Sequence, residues 1–241
     1  MKDPNELPLK IIVFGEPGVG KSALTQQYSK KTFPEEYEPT IEDTYDTIVE
    51  LDGRRVDLSV VDTAGHGVFS QMRDSYIKSG DGFLLVYSVT DKWSLQAISA
   101  MRDHILRVKG EKGKISTNTP IVIVGNKCDL DDDRVLTYQE GERVARKFSC
   151  SFFETSAKDD IGVDDVFVEL TRKIKRSKLS TLGKHFSRNS RMRFSMRSLS
   201  INERKCKEKL QAFKGTEDST GSWRRKSFRR FICGTRTLTT S

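Results

Sequence analysis

The stretch Gly15-Glu16-Pro17-Gly18-Val19-Gly20-Lys21-Ser22 fits the pattern G-x-x-x-x-G-K-[ST]. The glycines of such a loop let consecutive backbone N–H groups turn toward a polyphosphate. Residues 9–14 before it form an apolar run typical of a buried strand, and residues 23–31, from Ala23 onward, are predicted to be a helix whose N-terminus adds positive potential. The stretch therefore predicts a phosphate-binding loop between a strand and a helix.

Two side chains of this loop have specific tasks in nucleotide sites. Lys21 is placed to reach the β- and γ-phosphates, and the hydroxyl of Ser22 to lie on Mg²⁺. The alternative, a glycine-rich turn that binds nothing, is disfavoured by the strand before the loop and the helix after it.

Strand and helix patterns alternate along the first three quarters of the chain, which predicts a layered α/β fold with a mostly parallel sheet. Residues 82–88 and 120–125 are continuous apolar runs, as expected for buried parallel strands. The remaining predicted strands are 9–14, an antiparallel edge hairpin 45–51 with 56–61, and 151–154. The predicted helices after the first are 92–108, 137–148 and 163–178, the last with an apolar face toward the core.

Charge divides the chain into two parts. Residues 1–175 hold 24 Lys and Arg against 30 Asp and Glu, and residues 176–241 hold 18 against 4. A basic tail on an acidic body suggests an anionic partner, either a membrane or nucleic acid. Four cysteines without metal-binding spacing, and no apolar signal or spanning segment, predict a cytosolic protein that is neither secreted nor membrane-spanning.

A second motif bears on the choice of base. Asn126-Lys127-Cys128-Asp129 follows a buried strand at the carboxyl edge of the sheet, where open α/β folds bind ligands. The two oxygens of Asp129 suit the adjacent N1 and N2 donors of guanine, which adenine lacks. Asn126 can tie this loop to the phosphate loop, and the stem of Lys127 can lie along the base. Taken alone, such an aspartate is more often a solvated loop residue.

Five segments together resemble a small GTPase of the Ras family over about residues 7–178. They are GEPGVGKS, the region of Thr40, the DTAG that begins at Asp62, NKCD, and the TSAK that ends at Lys158. The resemblance implies GTP/GDP and Mg²⁺ as cofactors. It also implies a P-loop NTPase three-layer fold, with a six-stranded mostly parallel sheet, one antiparallel edge strand and about five helices. Residues 1–178 would form this domain, and 179–241 a largely disordered tail.

The same resemblance assigns further site residues. Thr40 would complete the Mg²⁺ shell when a γ-phosphate is present, Asp62 would hold Mg²⁺ through water, and the N–H of Gly65 would meet the γ-phosphate. The catalytic set would comprise Lys21, Thr40, Gly65 and the residue after it, His66. Around the base, the implied contacts are Phe33 edge-on to guanine and, from the far side, Ser156, Ala157 and Lys158.

Residues 37–45 are similar to the Ras and Rap effector loop. The implied effector residues, expected on an exposed edge strand, are Tyr37, Ile41, Glu42, Asp43 and Tyr45. An acidic unpaired edge invites a basic strand from a partner, as Ras-binding-type effector domains provide. An exchange factor and a GTPase-activating protein would be further partners. A plain device against aggregation is the alternative explanation of the acidic edge.

The catalytic positions depart from the family. His66 stands where Ras has the glutamine that orients the attacking water, Gly67 replaces the next glutamate, and Pro17 replaces a glycine. The segment 32–45 contains no arginine that could act in cis. We therefore expect slow GTP hydrolysis unless an activating protein supplies the missing groups. A GTP-locked binding platform is the alternative; an ATP-driven motor is disfavoured by the guanine motif.

The tail lacks the C-a-a-X box for prenylation, since the last cysteine, Cys233, is the ninth residue counted back from the end, with Ser241 as the first. Residues 223–233 combine basic and apolar side chains, as do membrane-surface segments and calmodulin targets. We expect peripheral binding at the inner face of the plasma membrane rather than nucleic-acid binding, with palmitoylation of Cys233 and phosphorylation of Ser195 or Ser227 as modulators. A solvated tail or a nuclear-import signal remains the alternative.

Overall fold

The computed structural model describes residues 7–34, 42–64, 70–110 and 113–188. The six strands are β1 (Leu9–Phe14), β2 (Glu42–Leu51), β3 (Arg54–Thr63), β4 (Gly82–Ser88), β5 (Ile121–Asn126) and β6 (Ser151–Thr155). The five helices are α1 (Lys21–Lys30), α2 (Ser70–Ser79), α3 (Lys92–Val108), α4 (Tyr138–Phe148) and α5 (Val163–Arg188).

The strands form one sheet in the order β2-β3-β1-β4-β5-β6, in which only the β2–β3 pair is antiparallel. Asp52 and Gly53 make the turn of this hairpin with φ of 51° and 73°. Two consecutive positive φ angles are what a tight two-residue hairpin loop requires. The predicted α/β architecture, with its antiparallel edge strand, is confirmed.

Helices cover both faces of the sheet, which makes three layers. One hydrophobic cluster packs α1 and α5 against one face, and a second packs α2, α3 and α4 against the other. The strands β4 and β5 are buried at every position, so their apolar runs reflect coverage on both sides. The predicted apolar face of α5 is confirmed, with five core residues at most 1% exposed: Val163, Val166, Phe167, Leu170 and Ile174.

Two helices differ from the prediction. Helix α5 continues to Arg188, so its predicted end at residue 178 is wrong by ten residues. The prediction followed the buried face, which stops at Ile174, whereas backbone hydrogen bonds can extend a helix beyond it. Helix α2 had no predicted position, because a single side chain among its described positions, Ile77, is buried. Within the described residues, no helix is both long and apolar enough to span a bilayer.

Candidate nucleotide-binding site

The phosphate-binding loop joins β1 to α1 and fits closely against neighbouring backbone and side chains. A Cβ on Gly15 would lie 2.2 Å from the carbonyl oxygen of Val86. Gly20 has φ +91°, and a Cβ there would lie 2.4 Å from Nδ2 of Asn126. Both positions therefore require glycine, and the second is wedged against the motif predicted to bind the base.

Lys21 lies inside the loop, 6% exposed. Its Nζ donates a hydrogen bond to the carbonyl oxygen of Glu16 at 3.0 Å. Burial lowers the pKa of this ammonium, while the negative charges of Asp62 and Glu16 oppose that change. The buried ammonium of Lys21 is thus hydrogen-bonded to a carbonyl oxygen of its own loop. A phosphate oxygen in that place would be a stronger partner, because it carries a negative charge.

Asp62 lies near the end of β3, in register with Val13 of β1, and is fully buried. Neither carboxylate oxygen accepts a hydrogen bond of good geometry from a described residue. Burial raises the pKa of Asp62 to about 6, although the nearby Ser22 hydroxyl and Lys21 lower it in part. A buried oxygen pair that lacks a well-formed hydrogen bond to the described residues, beside a serine hydroxyl, matches the oxygen ligands that Mg²⁺ prefers.

Asn126, at the end of β5, connects the loops of the site and is 1% exposed. Its Nδ2 donates to the carbonyl oxygens of Val19, at 3.0 Å, and Gly20, at 3.4 Å. Its Oδ1 accepts from Oγ1 of Thr155, at 3.1 Å, and from the backbone N–H of Ala157, at 3.3 Å. One side chain therefore fixes the phosphate loop, the base motif and the loop after β6 relative to one another.

The base motif continues from Asn126 in a tight turn. Lys127 has φ +68°, and its carbonyl accepts from the N–H of Leu130 at 3.1 Å. The N–H of Cys128 donates to the carbonyl of Thr155 at 3.1 Å. Asp129 is half-buried, and its carboxylate forms no hydrogen bond or ion pair with any described residue. Both of its oxygens are therefore open to a ligand.

The loop after β6 lies against this motif. Ser156 and Ile161 exchange two backbone hydrogen bonds of 3.1 and 3.0 Å, and Oγ of Ser156 accepts from the N–H of Asp159 at 3.0 Å. Ser156 and Ala157 are buried, whereas Lys158 is exposed. The hydrogen-bonded turn thus carries the Lys158 side chain at its surface.

The structure brings together most of the predicted site. The phosphate loop, Asp62, the base motif and the loop after β6 all lie at or near the carboxyl ends of β1, β3, β5 and β6. Phe33, which follows α1, is 44% exposed and keeps a free ring surface. Five predicted residues lie outside the described part of the chain, namely Tyr37, Thr40, Ile41, Gly65 and His66.

The effector strand is only partly as expected. β2 is an edge strand, and Glu42 and Asp43 are exposed on it. The expected exposure of Tyr45 is wrong, because its ring is 9% exposed and packs in the α1/α5 cluster with Nζ of Lys30 5.0 Å from its centroid. Side chains alternate along a strand, so Tyr45 points inward where Thr44 and Asp46 point out.

Residues 10–176 match the model of the family described as Ras family. This chain belongs to the Ras family. Domains of the Ras family bind guanine nucleotide and act in general as small GTPase switches, which accounts for the joined phosphate and base loops described above. The matched region includes every described site residue, from Gly15 to Lys158.

Two contacts of this Ras-family domain were missed by the sequence reasoning. Thr155 supplies a hydroxyl to Asn126, and its place at the head of TSAK was the one available hint. The hydroxyl of Tyr76 on α2 donates to a carboxylate oxygen of Glu42 on β2. No local pattern predicts this pair, because its members are 34 positions apart in sequence.

Proposed function

We propose that this Ras-family protein is a slow GTP/GDP switch. It binds GTP or GDP together with Mg²⁺ and presents the acidic edge of β2 to effector proteins. The observation that carries the proposal is the bridging of the phosphate loop and the base motif by Asn126 through four hydrogen bonds. This bridge couples the grip on a triphosphate to the selection of its base.

The residues at the phosphate end fit a divalent cation. Ser22 and Asp62 would hold it, with Thr40 as the further ligand that the family pattern assigns. Bound there, the cation neutralises charge on the phosphate oxygens. Lys21 would exchange its bond to the Glu16 carbonyl for a phosphate oxygen and stabilise the charge that develops during transfer.

Slow hydrolysis follows from the residues that should orient water. A glutamine amide offers a donor and an acceptor on one flexible stem, whereas the two nitrogens of an imidazole diverge from a short ring. His66 can therefore contact a water but is poorly shaped to hold it in line. Pro17, exposed at the tip of the phosphate loop, also removes one N–H from the surface near the γ-phosphate.

Single-turnover hydrolysis of preloaded GTP tests this proposal on the full chain. We expect slow conversion by the wild type and an increase of about tenfold or more in His66→Gln, because an amide that holds the attacking water in line removes part of the entropic cost of positioning it. The matched control is His185→Gln, the same substitution on α5. Equal rates for the wild type and His66→Gln would refute the assignment of slow hydrolysis to His66.

A GTP-locked platform is the second candidate, favoured by the combination of His66, Gly67 and Pro17. Addition of cell lysate separates the two, because a switch is accelerated by an activating protein and a platform is not. We also propose that residues 189–241 bind anionic membranes at the inner face of the plasma membrane. A fluorescent fusion of residues 215–241 that stays diffuse in cells would contradict this.

A further inference from the structure

A cavity of about 640 Å³ lies at the end of the sheet opposite the nucleotide site. Its walls are the second half of α3, the segment 115–121 before β5, residues 148–150 before β6, and α5. Its volume lies within the range of about 300–1,000 Å³ that is usual for small-molecule sites. We call it the α3–α5 cavity; nothing in the nucleotide function uses it.

The charged side chains that line the α3–α5 cavity are all cationic. They are Arg102, Lys173 and Arg176, and no carboxylate lines it. Residues 1–175 carry more acidic than basic residues, so this lining is opposite in sign to the domain around it. Lys173 and Arg176 form no ion pair with any described residue. Glu169, one turn before Lys173, is engaged by Arg172 and Ser151.

The charges of two of these cations act on one thiol, although Arg102 also pairs with the exposed carboxylate of Asp103 at 2.9 Å. Burial raises the pKa of the Cys150 thiol, whereas the charges of Lys173 and Arg102 lower it. The guanidinium of Arg102 is also held 4.5 Å from the centroid of the Phe148 ring. Arg176 lies three positions after Lys173 on α5 and therefore on the same helix face. The three positively charged side chains thus line the same α3–α5 cavity.

Neutral polar groups complete the wall and are hydrogen-bonded to one another. Nδ2 of Asn118 donates to Oγ of Ser177 at 2.9 Å and to Oγ of Ser180 at 3.0 Å, which fixes the segment before β5 onto α5. A second cavity, of about 460 Å³, shares this wall and adds Lys109 and Lys178. Its one carboxylate, Asp81, is paired with Lys178 at 2.9 Å. The paired cavities therefore carry five cations against one acid.

We propose that the α3–α5 cavity binds a multiply phosphorylated small anion of the inositol phosphate class, presented free or as a phosphoinositide headgroup. Arginine and lysine are the side chains that recognise phosphate. A compact headgroup is favoured over a phosphopeptide for two reasons. The space is a cavity rather than an extended groove, and α5 leads in sequence into a basic tail of the kind that anionic leaflets attract.

The test uses the full chain loaded with GDP and two probes. Inositol trisphosphate is titrated by calorimetry, and flotation measures binding to phosphatidylcholine vesicles with and without phosphatidylinositol bisphosphate. Lys173→Gln/Arg176→Gln should weaken binding of both probes about 30-fold, since each basic contact near an anionic surface is worth roughly fivefold. Lys92→Gln/Arg143→Gln removes the same charge from exposed positions on α3 and α4 and should change binding less than about twofold.

Each outcome decides the proposal. Binding of inositol trisphosphate with the expected loss supports a soluble ligand, and a loss confined to the phosphoinositide vesicles supports the lipid. Equal losses in the two double variants would assign binding to general charge, including that of the tail, and overturn the cavity. Failure of both probes to bind, or competition by a phosphoserine peptide alone, would also overturn it. Retained GDP in both variants shows that the nucleotide site is unaffected.

Discussion

The nucleotide site has a base side around Asn126 and a phosphate side around Lys21 and Asp62. The two sides differ in how completely their buried polar groups are hydrogen-bonded. Asn126 is 1% exposed and makes four hydrogen bonds, two through its amide nitrogen and two through its oxygen. Asp62 is fully buried and receives no bond of good geometry from a described residue. Both residues lie close to the same edge of one sheet, so the contrast is a property of their neighbours and not of depth.

The contrast indicates that the base side is already formed before the nucleotide binds, whereas the phosphate side is completed by the nucleotide. A buried amide with all its partners costs little and fixes the loops that hold it. A buried carboxylate without a well-formed hydrogen bond is costly, as is a buried lysine whose ammonium donates to a carbonyl oxygen in place of an anionic one. We therefore expect the base side to be rigid in the nucleotide-free protein, and the phosphate side to gain stability mainly from its ligand.

The largest loss of stability is expected for Asn126→Ala, which removes the side-chain hydrogen bonds that hold the base side together. It removes the partner of the Val19 carbonyl, the Thr155 hydroxyl and the Ala157 N–H, whereas the Gly20 carbonyl keeps the N–H of Leu24 at 2.9 Å. Each buried group left unsatisfied costs about 1–3 kcal/mol before relaxation. We expect the free energy of unfolding to fall by about 4 kcal/mol in urea and nucleotide retention to be lost.

Asn118→Ala is the matched control for that variant. Asn118 also donates two side-chain hydrogen bonds, but at an exposed position where water can replace them. Its cost should stay below about 1 kcal/mol. Similar costs for the two asparagines would show that Asn126 does not fix the site.

The second prediction concerns Asp62, whose replacement should raise the free energy of unfolding instead of lowering it. The pKa of Asp62 rises from 3.8 to about 6 on folding, so between these values the folded state binds more protons than the unfolded state. Stability of the nucleotide-free protein must then fall as pH rises through this window. Asp62→Asn should remove that dependence and raise the free energy of unfolding at pH 7 by about 1–2 kcal/mol.

The same variant should lose Mg²⁺-dependent retention of GTP, because a buried carboxylate ligand is gone. Thermal unfolding of the nucleotide-free protein at several pH values, compared with Asp133→Asn at an exposed site away from Asp62, gives the measurement. A less stable Asp62→Asn protein without nucleotide would mean that the carboxylate already has a partner. The phosphate side would then be as complete as the base side.

The base side was also the better predicted half of the molecule. The apolar run of β5 ends at Asn126, and the run of β1 ends before Gly15, so each motif is attached to an element that the sequence identifies. Parallel strands deliver their carboxyl ends to one edge, so the meeting of the two motifs could be predicted. The bridging role of Asn126 was predicted from its residue type and place.

The parts that failed depend on contacts distant in sequence. Tyr45 belongs to an acidic, polar segment, and its burial is decided by α1 lying over it, with Lys30 above the ring. The bond between Tyr76 and Glu42 joins a helix to a strand that precedes it by 34 positions. The end of α5 at Arg188 lies beyond the last core residue, where a core-facing pattern carries no information.

The smallest loss of stability is expected for Thr155→Val. This variant tests whether rigidity of the base side controls the release of GDP independently of overall stability. Thr155→Val keeps the shape of a fully buried side chain but removes the hydroxyl that donates to Oδ1 of Asn126 at 3.1 Å. Loss of one buried hydrogen bond should cost about 1 kcal/mol. Because the same oxygen then retains only the N–H of Ala157, the base loops loosen and GDP should dissociate about fivefold faster.

Thr171→Val is the control, since its hydroxyl is equally buried but donates to Phe167 within α5 at 2.7 Å. That variant should lose a similar amount of stability with no change in the rate of GDP dissociation. If both variants released GDP at the wild-type rate, Asn126 would need no support from Thr155, and the order of the base side would come from the backbone alone.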